Sequence, residues 1–242
     1  MIRRQEKLLQ LIIKEYVRTA QPVSSEYLAK NSHLKVSPAT IRNEMVELTT
    51  QMYLCQPHTS AGRLPTLKGF EYYIQNLLKK KSLSSAEKTI LKQIRKKHLS
   101  SRQLSQNRQS REFLMKMMAQ QMAALSGELS ILAFNDHSFY YTGLSYLLAQ
   151  PEFGEQDLIY DVSQIVDQLD RIMFDIFDSI GEEPEIMIGE KNPFSSSYSA
   201  IFIRCQLPSD RHCTLIGLLG PIRMDYDKNV ALINYIQQLI NQ

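Results

Sequence analysis

From the start of the chain, apolar side chains return at helical spacing. Leu8, Leu9, Ile12, Ile13 and Tyr16 form one stripe, with Arg4, Lys7, Lys14 and Arg18 outside it, which predicts a helix over 3–19. Pro22 disfavours helical backbone in the residue before it, so this helix stops near Ala20 and Gln21. Ser24 or Ser25 can cap a short second helix running through Ala29, and 31–33 reads as a turn. A third helix follows. Ser37 offers a capping hydroxyl, and Pro38 suits the first helical position, where no amide donor is needed. Ile41, Met45, Leu48 and Met52 then form a narrow apolar stripe.

The far face of that third helix is unusual. It carries Ala39, Asn43, Val46 and Thr50, flanked by Thr40, Arg42 and Glu47, where an ordinary amphipathic helix has a run of charges. Small residues permit close approach to another surface, and Arg and Asn pair bidentately with guanine and adenine edges. Short strands are predicted at 53–56 and 63–64, joined by the small, polar tip Pro57, His58, Thr59, Ser60, Ala61 and Gly62. Three helices followed by such a hairpin make the helix-turn-helix order with a wing. The hydroxyls of Thr59 and Ser60, the backbone near Gly62 and the Arg63 guanidinium suit phosphate oxygens or a minor groove. Thr66 caps a fourth helix bearing Phe70, Tyr73, Ile74, Leu77 and Leu78.

Beyond residue 80 the pattern changes. Ser84 and Glu87 have capping-box spacing before a helix through His98, and a second helix is predicted over 101–124. Its first half, 102–111, is almost devoid of apolar residues, whereas Leu114, Met117, Met118, Met122 and Leu125 form a stripe suited to a core, a dimer contact or an adaptable partner surface. From 127 onward, strands are predicted at 129–134, 139–142, 185–188, 200–207 and 212–219. Helices are predicted at 144–149, 161–180 and 225–241, giving an α+β sheet with helices on one face.

Charge sharpens this division. Residues 1–111 hold 21 Lys and Arg against 7 Asp and Glu, whereas 112–242 hold 7 against 18. A basic half on an acidic half points to a polyanionic partner for the first, or to two solvated surfaces of opposite sign. Three cysteines without CxxC spacing make neither a disulfide framework nor a zinc site, and no signal peptide or membrane-spanning run stands out, so a cytoplasmic location is expected. No phosphate loop, dinucleotide fingerprint, HExxH or serine elbow is present. Asp167, Asp170, Asp175 and Asp178 spread over the outer face of one helix, as a solvated surface would. Neither an enzyme activity nor a cofactor is expected.

Several separate blocks, in order, resemble the heat-inducible transcription repressor HrcA family: 36–45, 56–66, 143–153, 188–193 and 220–226. The resemblance implies a dimeric repressor that binds an inverted repeat in double-stranded DNA before chaperone operons. It also implies a GroEL-type chaperonin partner and a GAF-like second domain. Two departures stand out. Ala20 and Met52 occupy positions where the family usually has Gly at helix ends. After Phe134 the chain passes almost directly to Tyr140, where family members carry further strands and an inserted dimerising segment.

Together these readings predict a winged-helix domain over 1–80, a basic helical linker over 81–126 and a reduced GAF-like domain over 127–242. Ser37, Pro38, Ala39, Thr40, Arg42, Asn43, Thr59, Ser60, Gly62 and Arg63 are expected to contact DNA. Leu114, Met118, Met122 and Leu125 are expected to join two copies into a homodimer. The competing expectation is a shortened partner that modulates a full-length repressor without silencing promoters alone.

Overall fold

The computed structural model describes residues 1–32, 34, 36–79, 81–98, 108–135, 138–154, 156–206 and 213–241, except for the side chains of 98, 153–154 and 156–159. His33, residues 101–107 of the predicted second linker helix, and strand ends 207 and 212 lie outside the described residues. The chain forms two compact units. One comprises 1–79 together with 222–226, and the other 80–221 together with 227–242.

The first unit begins with three helices, α1 (Arg3–Thr19), α2 (Ser25–Asn31) and α3 (Pro38–Thr50). Leu8, Leu9, Ile12 and Ile13 of α1 are buried, as are Leu28, Ile41, Met45 and Leu48. Ser24, not Ser25, caps α2, accepting the Tyr27 amide at 3.1 Å. A hairpin follows, β1 (Leu54–Cys55) antiparallel to β2 (Leu64–Pro65). Val23 joins it from the other side through two 2.9 Å backbone bonds with Arg63. Thr66 caps α4 (Leu67–Tyr72), and the helix continues into a wider turn at Tyr73–Leu77. The segment 222–226 completes this unit: Tyr226 and Tyr16 flank the Phe70 ring at 6.2 and 6.3 Å, and Arg223 donates to the Val17 carbonyl at 3.1 Å.

Two helix ends in this unit carry the departures seen in the sequence. Ala20 (φ 53°) and Met52 (φ 64°) are the described non-glycine residues with left-handed backbone. At α3 the Met52 amide bonds Thr49 O and the Tyr53 amide bonds Leu48 O, both at 2.9 Å, the pair of bonds that usually ends a helix at Gly. Met52 was expected in the buried stripe; this turn swings it out instead, leaving it 64% exposed.

The second unit contains α5 (Ser85–His98) and α6 (Arg108–Ser126), followed by a five-stranded antiparallel sheet. Its strands are β3 (Leu129–Phe134), β4 (Phe139–Thr142), β5 (Glu185–Ile188), β6 (Tyr198–Gln206) and β7 (Cys213–Pro221), in spatial order β4-β3-β7-β6-β5. The capping box forms reciprocally: Ser84 donates to Glu87 at 2.8 and 2.7 Å, and the Glu87 amide returns to Ser84 at 3.3 Å. On one sheet face Leu129, Ile131, Phe202 and Leu219 pack in a single core with Leu147, Ile165, Leu169 and Met173. These come from α7 (Leu144–Leu148), α8 (Gln156–Asp167) and α9 (Leu169–Ile176). Gly217 is required where the Phe202 ring crosses β7, since a Cβ there would sit 2.1 Å from the ring.

The helix predicted over 161–180 is divided at Gln168 into two, and Leu169, Ile172, Met173 and Ile176 of the second are buried in the core against the sheet. Arg204 of β6 ties down the segment after α9, donating to the carbonyls of Ile180 (2.8 Å) and Phe177. The last helix, α10 (Tyr226–Asn241), is held to β6 by Gln237, which donates to Arg204 O at 2.9 Å. Among the described residues no helix is long and apolar enough to cross a membrane.

The residues of the expected dimer stripe are packed within the chain. Leu114, Met118 and Met122 are 0–1% exposed within this single chain, and Leu125 is half-buried. Their apolar surface is covered within the chain, while Met117 on the same helix is half-buried.

Candidate nucleic-acid interface

Helix α3 owes its start to local chemistry. The Ser37 Oγ accepts the Thr40 amide at 3.1 Å and lies 3.0 Å from the Thr40 hydroxyl, and Pro38 occupies the first turn. Ser37 therefore serves as a cap, with its side chain still exposed at the helix N-terminus. Ile41, Glu44, Met45 and Leu48 face inward. At about 100° per residue, Ala39, Asn43, Val46 and Thr50 fall within an arc of roughly 60° on the opposite side. All of them are exposed, as are Pro38 and Arg42, while Thr40 is half-buried at the edge. This face presents a methyl, a carboxamide, a short apolar side chain and a hydroxyl, and none of its members is charged.

The flanks are electrostatically organised. Arg42 reaches across to α2 and pairs with Glu26, both exposed. A hydrogen bond from its own backbone amide, with Ser25 and Arg42 adding to it, holds the Glu26 carboxyl below the usual carboxylate range. Pairs this open to solvent contribute little and exchange readily for another anion. On the other flank Glu44, buried, pairs with Arg4, and Glu47 accepts from the Gln5 carboxamide at 2.6 Å.

The hairpin tip is exposed from Cys55 through Ser60. Gln56 shapes it, donating to Thr59 O at 2.9 Å and Ala61 O at 3.0 Å, which turns Thr59 and Ser60 outward. Gly62 is present for close approach: a Cβ there would lie 2.3 Å from Val23 O. Arg63 is half-buried and donates through Nε to the Thr49 hydroxyl at 3.1 Å, fixing the hairpin base to α3. The structure thus brings Arg42 and Asn43 onto one exposed face beside a hairpin carrying Thr59 and Ser60, and uses Gly62 and part of Arg63 to lock that hairpin in place. Val46, Thr50, Gln56 and Glu26 belong to the same surface. Helical period already places Val46 and Thr50 on this face; the roles of Gln56 and Glu26 depend on tertiary partners.

The second unit offers less chemistry. Asp167, Asp170, Asp175 and Asp178 are all exposed, and among the described residues no group of three or more His, Cys, Asp or Glu is placed to hold a metal. Cys205 is buried, which raises its thiol pKa.

Comparison with known proteins identifies relatives of this chain. A protein named heat-inducible transcription repressor HrcA from Carboxydothermus hydrogenoformans is 47% identical over 91 residues, a match covering 38% of this chain and about a quarter (27%) of that relative's length. A protein of the same name from Symbiobacterium thermophilum aligns over 99% of this chain and 97% of its own length at 26% identity. That alignment runs to 332 positions, 90 more than the 242 residues of this chain. A crystal structure of a protein described only as hypothetical shares the fold with a TM-score of 0.70 at 18% identity, covering 100% of this chain and 98% of the other. The family model described as the HrcA protein C-terminal domain matches residues 27–230, more than half of the chain, and on that ground the chain belongs to the HrcA family.

Proposed function

We propose that this chain is a DNA-binding transcriptional repressor of heat-shock genes. Its first unit acts as a winged helix-turn-helix, with α3 in a major groove, and its second is a reduced GAF-like regulatory unit. The observation that carries the reading is the exposed, uncharged arc of α3, bordered by Arg42 and set beside the Thr59–Ser60 hairpin tip, in a chain whose family relatives are named heat-inducible repressors. The order α1, α2, α3 and then a hairpin pinned by Val23 supports the winged-helix assignment. The five-stranded antiparallel sheet with helices packed on one face supports the GAF-like one.

In this reading Asn43 and Arg42 read base edges, Arg42 exchanging Glu26 for a guanine. Ser37, Thr59, Ser60 and the remaining Arg63 donors hold phosphates. The operator is an inverted repeat bound by a homodimer, which places two copies of α3 about 34 Å apart or a multiple of that. The test uses a duplex selected by the protein from a random pool, and a scrambled control. Asn43→Ala is expected to cost about 1–3 kcal/mol on the selected duplex and much less on the control. Equal losses on both duplexes for Asn43→Ala and Arg42→Ala overturn the assignment.

The 90 aligned positions without a counterpart here favour one second reading. A shorter chain could pair with a full-length relative and modulate it. Protection of a whole operator by this chain alone, in a footprint, selects the first reading; protection only in mixture with the longer protein selects the second.

A further inference from the structure

We propose that the groove at the N-terminus of α1 holds DNA phosphates, so that α3 is gripped on both flanks; this rests on the DNA-binding reading above. The groove, about 890 Å³, lies within the first unit and is lined by Arg3, Arg4, Lys7 and Lys79 over a half-buried floor that includes Leu34 and Leu77. All four cations are exposed. Its one carboxylate, Glu6, is already engaged: it accepts the Tyr72 hydroxyl at 2.7 Å, and that bond together with partial burial raises the phenol to about 12, keeping it a donor. Arg4 is paired to Glu44. Arg3 and Lys7 have no ion pair with another described residue and set the sign of the groove.

Position supplies the second half of the argument. The first turn of α1 is tied to α3 by the Arg4–Glu44 pair and by Gln5, whose carboxamide donates to Glu47 at 2.6 Å and accepts the Ile2 amide at 3.2 Å. Around α3, Glu47 and Glu44 lie on one side of the exposed arc, whereas Arg42 and Thr49 lie on the other. Thr49 is where Arg63 anchors the hairpin. The hairpin and the α1 groove therefore border opposite flanks of the same helix face. A helix seated in a major groove, ~12 Å wide, has a sugar–phosphate ridge on each side. With the hairpin along one ridge, Arg3 and Lys7 meet the other, a contact that positions without reading sequence.

Fluorescence anisotropy on the selected and scrambled duplexes, titrated with salt, tests this on the full chain. Arg3→Ala with Lys7→Ala is expected to weaken both duplexes by the same factor. It should also make the slope of log affinity on log salt shallower by about 1.8, roughly 0.9 for each phosphate released. Asn43→Ala is expected to lose discrimination and keep the slope. An unchanged slope in the double variant, with Asn43→Ala still losing discrimination, overturns the groove contact and leaves the DNA reading standing. Failure of the unaltered chain to bind either duplex overturns both. Should the double variant not fold, Lys7→Gln alone is read for a slope change of about 0.9, and no change there overturns the contact.

Discussion

In the first unit, α3 keeps one face bare; in the second, α6 has the apolar side of its methionine stripe covered. Ala39, Asn43, Val46 and Thr50 are exposed, and Met115, Met118, Ala119 and Met122 are 0–2% exposed. In the sequence α3 is marked by an uncharged far face and α6 by an apolar methionine stripe. The contrast shows that an apolar stripe identifies a surface that must leave water without naming what covers it. A face of small and uncharged polar groups carries the opposite information, because burial offers it little and solvent tolerates it.

The sharpest way to break that contrast is Met122→Ala. Emptying a site that is 0% exposed should destabilise the chain by about 2–5 kcal/mol, through lost transfer energy and an unfilled cavity. Denaturant unfolding followed by near-ultraviolet circular dichroism measures it. A variant with unaltered stability whose only change is in sedimentation would make Met122 an interface residue and restore the dimer stripe. Val46→Ala on the bare face of α3 should leave stability within about 0.5 kcal/mol.

The two units also differ in how they make left-handed turns. In the second, the described residues with positive φ are Gly127, Gly143 and Gly189; in the first they are Ala20 and Met52. A non-glycine residue in that region costs roughly 1–2 kcal/mol, offset in part by the greater unfolded-state freedom of glycine. Ala20→Gly and Met52→Gly are each expected to raise stability by up to about 1 kcal/mol, read as a higher unfolding midpoint. Met52 has no buried packing to lose, so it is the cleaner of the two. A drop in midpoint for Met52→Gly would mean that the side chain contributes something its 64% exposure hides.

What the sequence disclosed was local. Ser37, Thr66 and the Ser84–Glu87 box cap the helices that their spacing announced, and the sheet strands fall where apolar runs placed them. Most of what it withheld is long-range. The Arg42–Glu26 pair spans 16 residues and the Arg223–Val17 bond spans 206, distances over which periodicity carries no information. The break at Gln168 was hidden because Asp161 to Ile180 keeps one helical period across it. The α3 face was legible because it is defined by what is missing from it. The close approach of Gly62 to Val23 could not be read from the sequence, because it exists only once the hairpin has closed.

The smallest expected effect compares two carboxylates, one in each unit. Glu15 is held below its ordinary value of 4.5 chiefly by a hydrogen bond from Arg18, and Glu87 by hydrogen bonds from the Ser84 side chain and then its backbone amide, with Lys228 adding a lesser attraction. In both, the folded pKa lies below the unfolded one. The stabilisation is therefore complete above about pH 4.5 and is lost as pH falls through the depressed folded value. Salt separates them. Arg18 is 65% exposed, so its attraction is screened, whereas the Ser84 donors are neutral groups fixed at a helix start. Glu87→Gln should cost on the order of 0.5 kcal/mol near neutrality and converge with the unaltered chain in acid. That difference should persist in 1 M salt, while the corresponding Glu15→Gln difference should shrink. Urea titrations at two pH values and two salt concentrations measure all four quantities. If Glu87→Gln loses its effect in high salt, Lys228 and not the Ser84 cap holds that carboxylate, and the two units anchor their acidic groups in the same way.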